Sequence, residues 1–175
     1  MTRPARYRCR PLVAFLLAFG LAVLGCAKAE PTDDALSPVA SALEALGRAH
    51  RLADAAKTDA ERQSALQALD EGVRALPKES AGPSAVWVVQ DALARSAELE
   101  LALGHADRAI SRAEQGLRLG TESSVPVASL HTLKGRALEA RGEIEQAVAA
   151  YHAALVVNQQ LMERALAPGA STQSP

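Results

Sequence analysis

The sequence predicts an all-α protein built from about three antiparallel helical hairpins. Alanine supplies 38 of the 175 residues, whereas Phe, Trp and Tyr together supply five. Chains rich in Ala, Leu, Glu and Arg favour helices, because these side chains lose little rotamer freedom there. Apolar residues recur at spacings of three and four, as on one face of a helix, and no segment has the pattern of a strand. A β-sandwich and a doubly wound α/β sheet are therefore excluded.

The first 25 residues have the organisation of a secretory signal peptide. Four arginines precede an apolar run over 12–24, and small residues follow. This run is shorter than the roughly 20 apolar residues that a membrane-spanning helix needs. It closes as Val-Leu-Gly-Cys26, which resembles the lipobox of bacterial lipoproteins. That resemblance implies cleavage before Cys26 and transfer of a diacylglyceryl group to its thiol.

Lipidation of Cys26 implies an address in the bacterial cell envelope. Several acyl chains give durable attachment to a membrane, since each buried methylene contributes about 0.8 kcal/mol. Ala27 rather than Asp follows the cysteine, which by the same resemblance implies the outer membrane, facing the periplasm. An ordinary cleaved signal peptide and an uncleaved anchor are the alternatives. We expect a signal peptide over 1–25, the lipidated cysteine and a polar tether over 26–35, a helical domain over 36–166 and a disordered tail over 167–175.

The first predicted hairpin follows the tether. Ser37 and Pro38 indicate a helix start, with a capping hydroxyl and proline at the first helical position. Thr58 and Glu61 form a Thr-x-x-Glu capping box, so a second helix begins there, and Pro77 ends it. The apolar stripes predicted for these two helices are Leu36, Val39, Leu43, Leu46 and Ala53, and then Leu66, Leu69, Val73 and Leu76.

A turn cluster over 77–83 leads into the second predicted hairpin. Ser84 is expected to cap the third helix, which runs to about Leu103. Gly104 then separates it from a fourth helix. Trp87 is expected to pack at the start of the third helix. If exposed it would instead anchor an interface, because tryptophan is enriched at binding hot spots.

The third predicted hairpin begins after a loop over 120–124. Ser124 or a neighbour caps the fifth helix, which has Pro126 in its first turn. Gly142 ends that helix, and a sixth runs over about 143–166. The apolar stripe predicted for this sixth helix is Ile144, Val148, Tyr151, Leu155 and Leu161. The tail that follows is small and polar, which predicts disorder.

The second and third hairpins repeat at an offset of 38 residues. Gly104 aligns with Gly142, and the further matched pairs are Ala109 with Ala147, Ile110 with Val148, and Leu117 with Leu155. The offset is close to the 34-residue tetratricopeptide unit with a four-residue loop extension. The last hairpin resembles that family most, through Gly135, Leu138, Gly142, Ala147, Tyr151, Ala154 and Leu155. The resemblance implies a short tetratricopeptide-like solenoid of stacked hairpins.

The resemblance weakens towards the N-terminus. The middle hairpin has Ala113 where the family has an aromatic residue, and Gln159 stands where a proline would follow the last unit. The first hairpin keeps only Ala65, Leu69, Gly72, Val73 and Pro77 of the pattern. A helical bundle without repeats is therefore the alternative fold.

No sequence motif indicates catalysis, nucleotide binding or metal binding. The chain lacks a phosphate-binding Gly-rich loop, a Gly-x-Ser-x-Gly elbow and a His-Glu-x-x-His pair. Cys9 and Cys26 are too few for a disulfide framework or a cysteine zinc site. The four histidines do not supply the converging ligands that a metal needs. The net charge of −1 gives no indication of a nucleic-acid partner. We therefore expect no enzyme activity, cofactor, metal site, nucleic-acid partner or small-molecule substrate.

Binding of a protein partner is the function that these observations leave. The first helix of each stacked hairpin lines the concave side of a solenoid. The candidate groove residues are His50, Asp54, Lys57, Asp91, Arg95, Glu98, Thr132, Arg136 and Glu139. Their mixed charges suit an extended or helical peptide. They lack the basic-and-asparagine clamp with which some family members hold a C-terminal carboxylate.

The expected protein is a membrane-anchored scaffold or assembly factor of the cell envelope, which binds a peptide or helical segment in its groove. The alternative is a structural subunit that associates with itself and has no separate client. The outer face of the last helix distinguishes the two hypotheses. A polar face there favours a cap of the stack, and an apolar face favours self-association.

Overall fold

The computed structural model describes residues 38–76 and 83–167 of the chain. Within them lie six helices: α1 (Pro38–Ala55), α2 (Asp59–Ala75), α3 (Pro83–Ala102), α4 (Ala106–Arg118), α5 (Val125–Ala140) and α6 (Ile144–Leu166). No strand occurs in these two ranges, so the all-α prediction is confirmed for them. The predicted signal peptide, Cys26, the tether and residues 168–175 of the predicted tail lie outside the described residues.

The helices form three hairpins that pack in chain order. α1 pairs with α2, α3 with α4, and α5 with α6. α3 also contacts both helices of the first hairpin, and α5 contacts both helices of the second. Each junction encloses a cluster of buried Leu and Ala side chains. Every hairpin after the first thus completes its core against the one before it.

Local capping fixes where two of the helices begin. The Thr58 hydroxyl accepts a hydrogen bond from the Glu61 N–H at 3.3 Å, and a Glu61 carboxylate oxygen accepts from the N–H groups of Lys57 and Thr58 at 2.7 and 2.9 Å. These bonds to the carboxylate lower the pKa of Glu61. The Ser124 hydroxyl accepts from the Val127 N–H at the start of α5. Both predicted caps are confirmed.

Replacing Thr58 by alanine should lower the free energy of unfolding by about 1 kcal/mol, because the Glu61 N–H loses its acceptor. Urea denaturation followed by far-UV circular dichroism measures the change. Thr121→Ala is the matched control, since Thr121 is exposed in the loop before α5. Equal effects of the two variants would show that the cap does not stabilise α2.

The turns of the second and third hairpins have the same geometry, 38 residues apart. Gly104 and Gly142 have φ angles of +78° and +80°, a conformation that favours glycine. At both turns the glycine N–H bonds the carbonyl three residues earlier, at 3.0 and 2.9 Å. The next N–H bonds the carbonyl five residues earlier, at 2.8 and 2.9 Å. This is the Schellman arrangement that ends helices at a left-handed glycine.

Three other glycines allow a neighbouring helix to approach closely. A Cβ atom added at each would lie 2.6 Å from a large side chain. The pairs are Gly72 with Leu46, Gly116 with Leu130, and Gly135 with Tyr151. A small residue on one helix thus receives a large side chain of its partner, which fixes how the two helices pack.

Three local predictions were wrong. α3 begins at Pro83, two residues before the start that a cap at Ser84 predicts, so Ser84 lies within the helix. Trp87 is exposed rather than packed. The large apolar residues predicted as the stripe of α6 are mostly exposed, and its buried face consists of Ala147, Ala150, Ala154 and Val157. Small side chains form that face because α5 lies close against it.

Candidate functional site

A cavity of about 480 Å³ opens along the side of the domain formed by α1, α3 and α5. Six of the nine predicted groove residues line it: His50, Asp54, Asp91, Arg95, Glu98 and Thr132. They meet there because one helix of each hairpin contributes to a common wall. We call this cavity, with its lining residues, the α1/α3/α5 groove.

Arg95 lies at the centre of the charged wall of the groove. Its guanidinium donates to the carboxylate of Asp54 on α1 and to that of Glu98 on α3. The Arg95 side chain is only 23% exposed, and its Nε atom is buried without a hydrogen-bond partner. Two carboxylates therefore hold this guanidinium in place, and its charge is already paired within the protein.

Negative charge is in excess on this wall of the groove. Asp91 is 62% exposed, and its nearest partner is the imidazole Nε2 of His50, at 3.6 Å. Three carboxylates and one guanidinium line the groove, which gives a formal charge of −2 when His50 is neutral. Asp91 in particular presents oxygen acceptors that no arginine or lysine of the described chain neutralises.

The α5 wall is less polar. Val125 is 69% exposed at one end of it. The Thr132 hydroxyl donates to the Ala128 carbonyl at 3.0 Å, so its proton is used within the helix. The groove thus combines carboxylate acceptors on one side with an apolar edge on the other. This combination suits a peptide that has basic and apolar side chains.

Three predicted groove residues lie outside this cavity. Lys57 follows the end of α1, and its backbone N–H takes part in the α2 capping box. Arg136 and Glu139 lie on the second half of α5, where their side chains are exposed. Glu139 accepts a hydrogen bond from the Tyr151 hydroxyl at 2.7 Å. Burial and this bond raise the pKa of Tyr151.

Six lining residues were not predicted: Ala94, Val125, Ala128, Ser129, Leu133 and Asn158. Two of them, Val125 and Ser129, could have been identified from the predicted Thr132, since residues three and seven positions earlier share its helix face. Asn158 has no comparable indication in the sequence. It reaches the groove from α6, and only the packing of α6 on α5 brings it there.

The described residues contain no group of three or more His, Cys, Asp or Glu side chains arranged to hold a metal ion. None of the described helices combines the length and hydropathy of a membrane span. Comparisons with protein-family models, curated proteins and solved structures find no match to this chain. The geometry of the groove is therefore the observation on which a function must rest.

Proposed function

We propose that the protein is a membrane-anchored interaction module of the bacterial cell envelope, which binds a peptide or helical segment of a partner in the α1/α3/α5 groove. The single observation that carries the proposal is the groove itself. Six candidate residues, chosen for their places on the first helix of each hairpin, line one cavity of about 480 Å³. A cavity that spans three hairpins accommodates a chain segment held by several contacts.

The proposal places the three hairpins in the tetratricopeptide class. The repeated turn geometry at Gly104 and Gly142 supports this assignment. The contact of Gly135 with the Tyr151 ring also supports it, because both residues belong to the family pattern. The anchor is supported by sequence alone, through the arginine-flanked apolar run that ends at Cys26. The outer membrane, facing the periplasm, is the address that this anchor implies.

The charge of the groove narrows the class of partner. A net negative wall attracts a segment with at least one Lys or Arg side chain, and it repels an acidic segment. Asp91 is the best-placed acceptor, because it is exposed and Arg95 is already bonded to Asp54 and Glu98. We therefore propose a basic peptide segment of an envelope protein as the ligand.

Photocrosslinking in the native host tests this proposal. A photoreactive residue replaces Ser129, which lines the groove, and crosslinked proteins are identified by mass spectrometry. We expect one dominant envelope protein, crosslinked through a segment that contains Lys or Arg. The same residue at Gln115, exposed on α4 outside the groove, is the control position and should give none of this product.

Asp91→Lys should reduce that crosslink by about tenfold or more, because a like charge then faces the basic segment. Glu71→Lys makes the same kind of charge reversal on the exposed surface of α2 and should leave the crosslink unchanged. A crosslink of equal strength in both variants, or a partner bound through an acidic segment, would contradict the proposed ligand class. Equal products from Ser129 and Gln115 would contradict the groove.

A further inference from the structure

The outer face of α6 carries an apolar stripe that no described part of the chain covers. It consists of Ile144, Val148, Leu155 and Met162, which are 57, 61, 66 and 59% exposed. Spacings of four, seven and seven keep residues on one side of a helix, as in a coiled-coil seam. At about 1.5 Å per residue the stripe is about 27 Å long. Continuous apolar surface of this kind indicates an interface.

The residues that correspond to Val148 in the other two hairpins are buried. Ile110 of α4, which aligns with Val148, is 9% exposed and belongs to a core cluster with Leu130 and Leu133 of α5. Leu66 of α2 is 8% exposed, in a cluster that includes residues of α3. On α2 and α4, therefore, the following hairpin covers this position. The outer face of α6 has the apolar surface of a helix that packs against another helix. Within the described residues, no helix follows α6 to cover that face.

The charges of α6 favour a second copy of this chain as the occupant. Residues 146–162 include no Asp, Glu, Lys or Arg. Two such surfaces do not repel each other, and neither selects a charged partner. An apolar, uncharged helix face of this length is complementary to itself.

We infer that two copies of the chain associate through an antiparallel packing of their α6 helices about a two-fold axis. In this arrangement Ile144 of one copy lies opposite Met162 of the other, Val148 lies opposite Asn158, and Leu155 lies opposite Tyr151. The row of positions 144, 148, 151, 155, 158 and 162 has spacings of four, three, four, three and four, which read the same in both directions, as an interface with two-fold symmetry requires. Its spacings also satisfy the seven-residue repeat with which packed helices interlock.

This association is independent of the proposed function. None of the four stripe residues lines the α1/α3/α5 groove, to which α6 contributes only Asn158. The eleven other lining residues of the groove belong to α1, α3 and α5, so the two surfaces share only Asn158. The sequence analysis gave self-association as an alternative to client binding. In this arrangement the two are compatible.

The oligomeric state of the full-length chain, extracted and purified in a mild detergent, is the first test. Sedimentation analysis should give a protein mass of two chains. Leu155→Glu buries two charges in the interface and should raise the dimer dissociation constant by at least tenfold. Ala149→Glu adds the same charge to the exposed surface of α6, about a third of a turn from the stripe, and should remain a dimer.

Photocrosslinking in the host membrane checks the same interface without detergent or added charge. A photoreactive residue at Leu155 should give a product of two chains, and at Ala149 it should not. A single-chain mass in detergent together with no two-chain crosslink would overturn the inference. Crosslinks from Leu155 only to another protein or to lipid would also overturn it, because the stripe would then be a surface for that partner or for the membrane.

Discussion

Replacing Leu130 by alanine should lower the free energy of unfolding by about 3–5 kcal/mol. Leu130 on α5 is fully buried, and it packs into the space left by the missing side chain of Gly116. The variant loses the burial of three carbon atoms and leaves a cavity. Ala97 and Ala113 of the same cluster have no side-chain rotamers that would fill it, so we expect a cost in the upper part of the usual range.

Urea denaturation measures this loss, and Leu52→Ala is its control. Leu52 on α1 is 53% exposed, so its truncation should change the free energy of unfolding by less than about 0.5 kcal/mol. Both variants remove the same atoms from a helical leucine and differ in burial. Equal losses would contradict the packing of α5 against α4 in this structure.

Signals within a few residues predicted most helix ends and turns. Thr58 and Ser124 act through hydroxyl oxygens on N–H groups three residues away, so their effect is readable from the local sequence. Gly104 and Gly142 adopt a backbone conformation that other residues avoid. Each of these caps and turns depends on residues close in sequence, and tertiary packing did not change them.

The buried face of α6 could not be predicted in the same way. Apolar periodicity assigns the larger side chains to the core, but close helix packing here selects alanine. Gln90 gives a second example. This side chain is 1% exposed and donates to the carbonyls of Gly116 and Gly120, at 3.1 and 2.8 Å. Both features arise from contacts between helices, which no local pattern records.

Helical spacing predicted groove residues correctly only where the helix extends through the predicted position and faces the cavity. His50 and Asp54 lie one turn apart on α1, so helical spacing brought both to the cavity. The same spacing extended to Lys57, but α1 ends at Ala55 because the capping box of α2 follows. The position of Lys57 is therefore set by the capping box of α2 and not by the apolar pattern of α1.

Replacing Gly116 by alanine should destabilise the protein, although alanine is the better helix former. The new Cβ would lie 2.6 and 2.9 Å from the two methyl carbons of Leu130, which is fully buried. Overpacking of this kind costs about 1–3 kcal/mol, and the helix propensity of alanine offsets up to about 1 kcal/mol of it. We expect a net loss of up to about 2 kcal/mol, measured by urea denaturation.

Gly47→Ala is the matched control, because a Cβ at Gly47 would meet only an arginine terminal nitrogen, at 3.7 Å. It should stabilise the protein by about 0.5–1 kcal/mol, so the two Gly→Ala changes have opposite signs. In the double variant Gly116→Ala/Leu130→Ala, the clash disappears and the new methyl group partly fills the cavity. The double variant should therefore lose less free energy of unfolding than the sum of the two single variants, by about 1 kcal/mol or more. Additive losses would mean that Gly116 and Leu130 do not touch, and that the small-to-large contact does not determine how α4 and α5 pack.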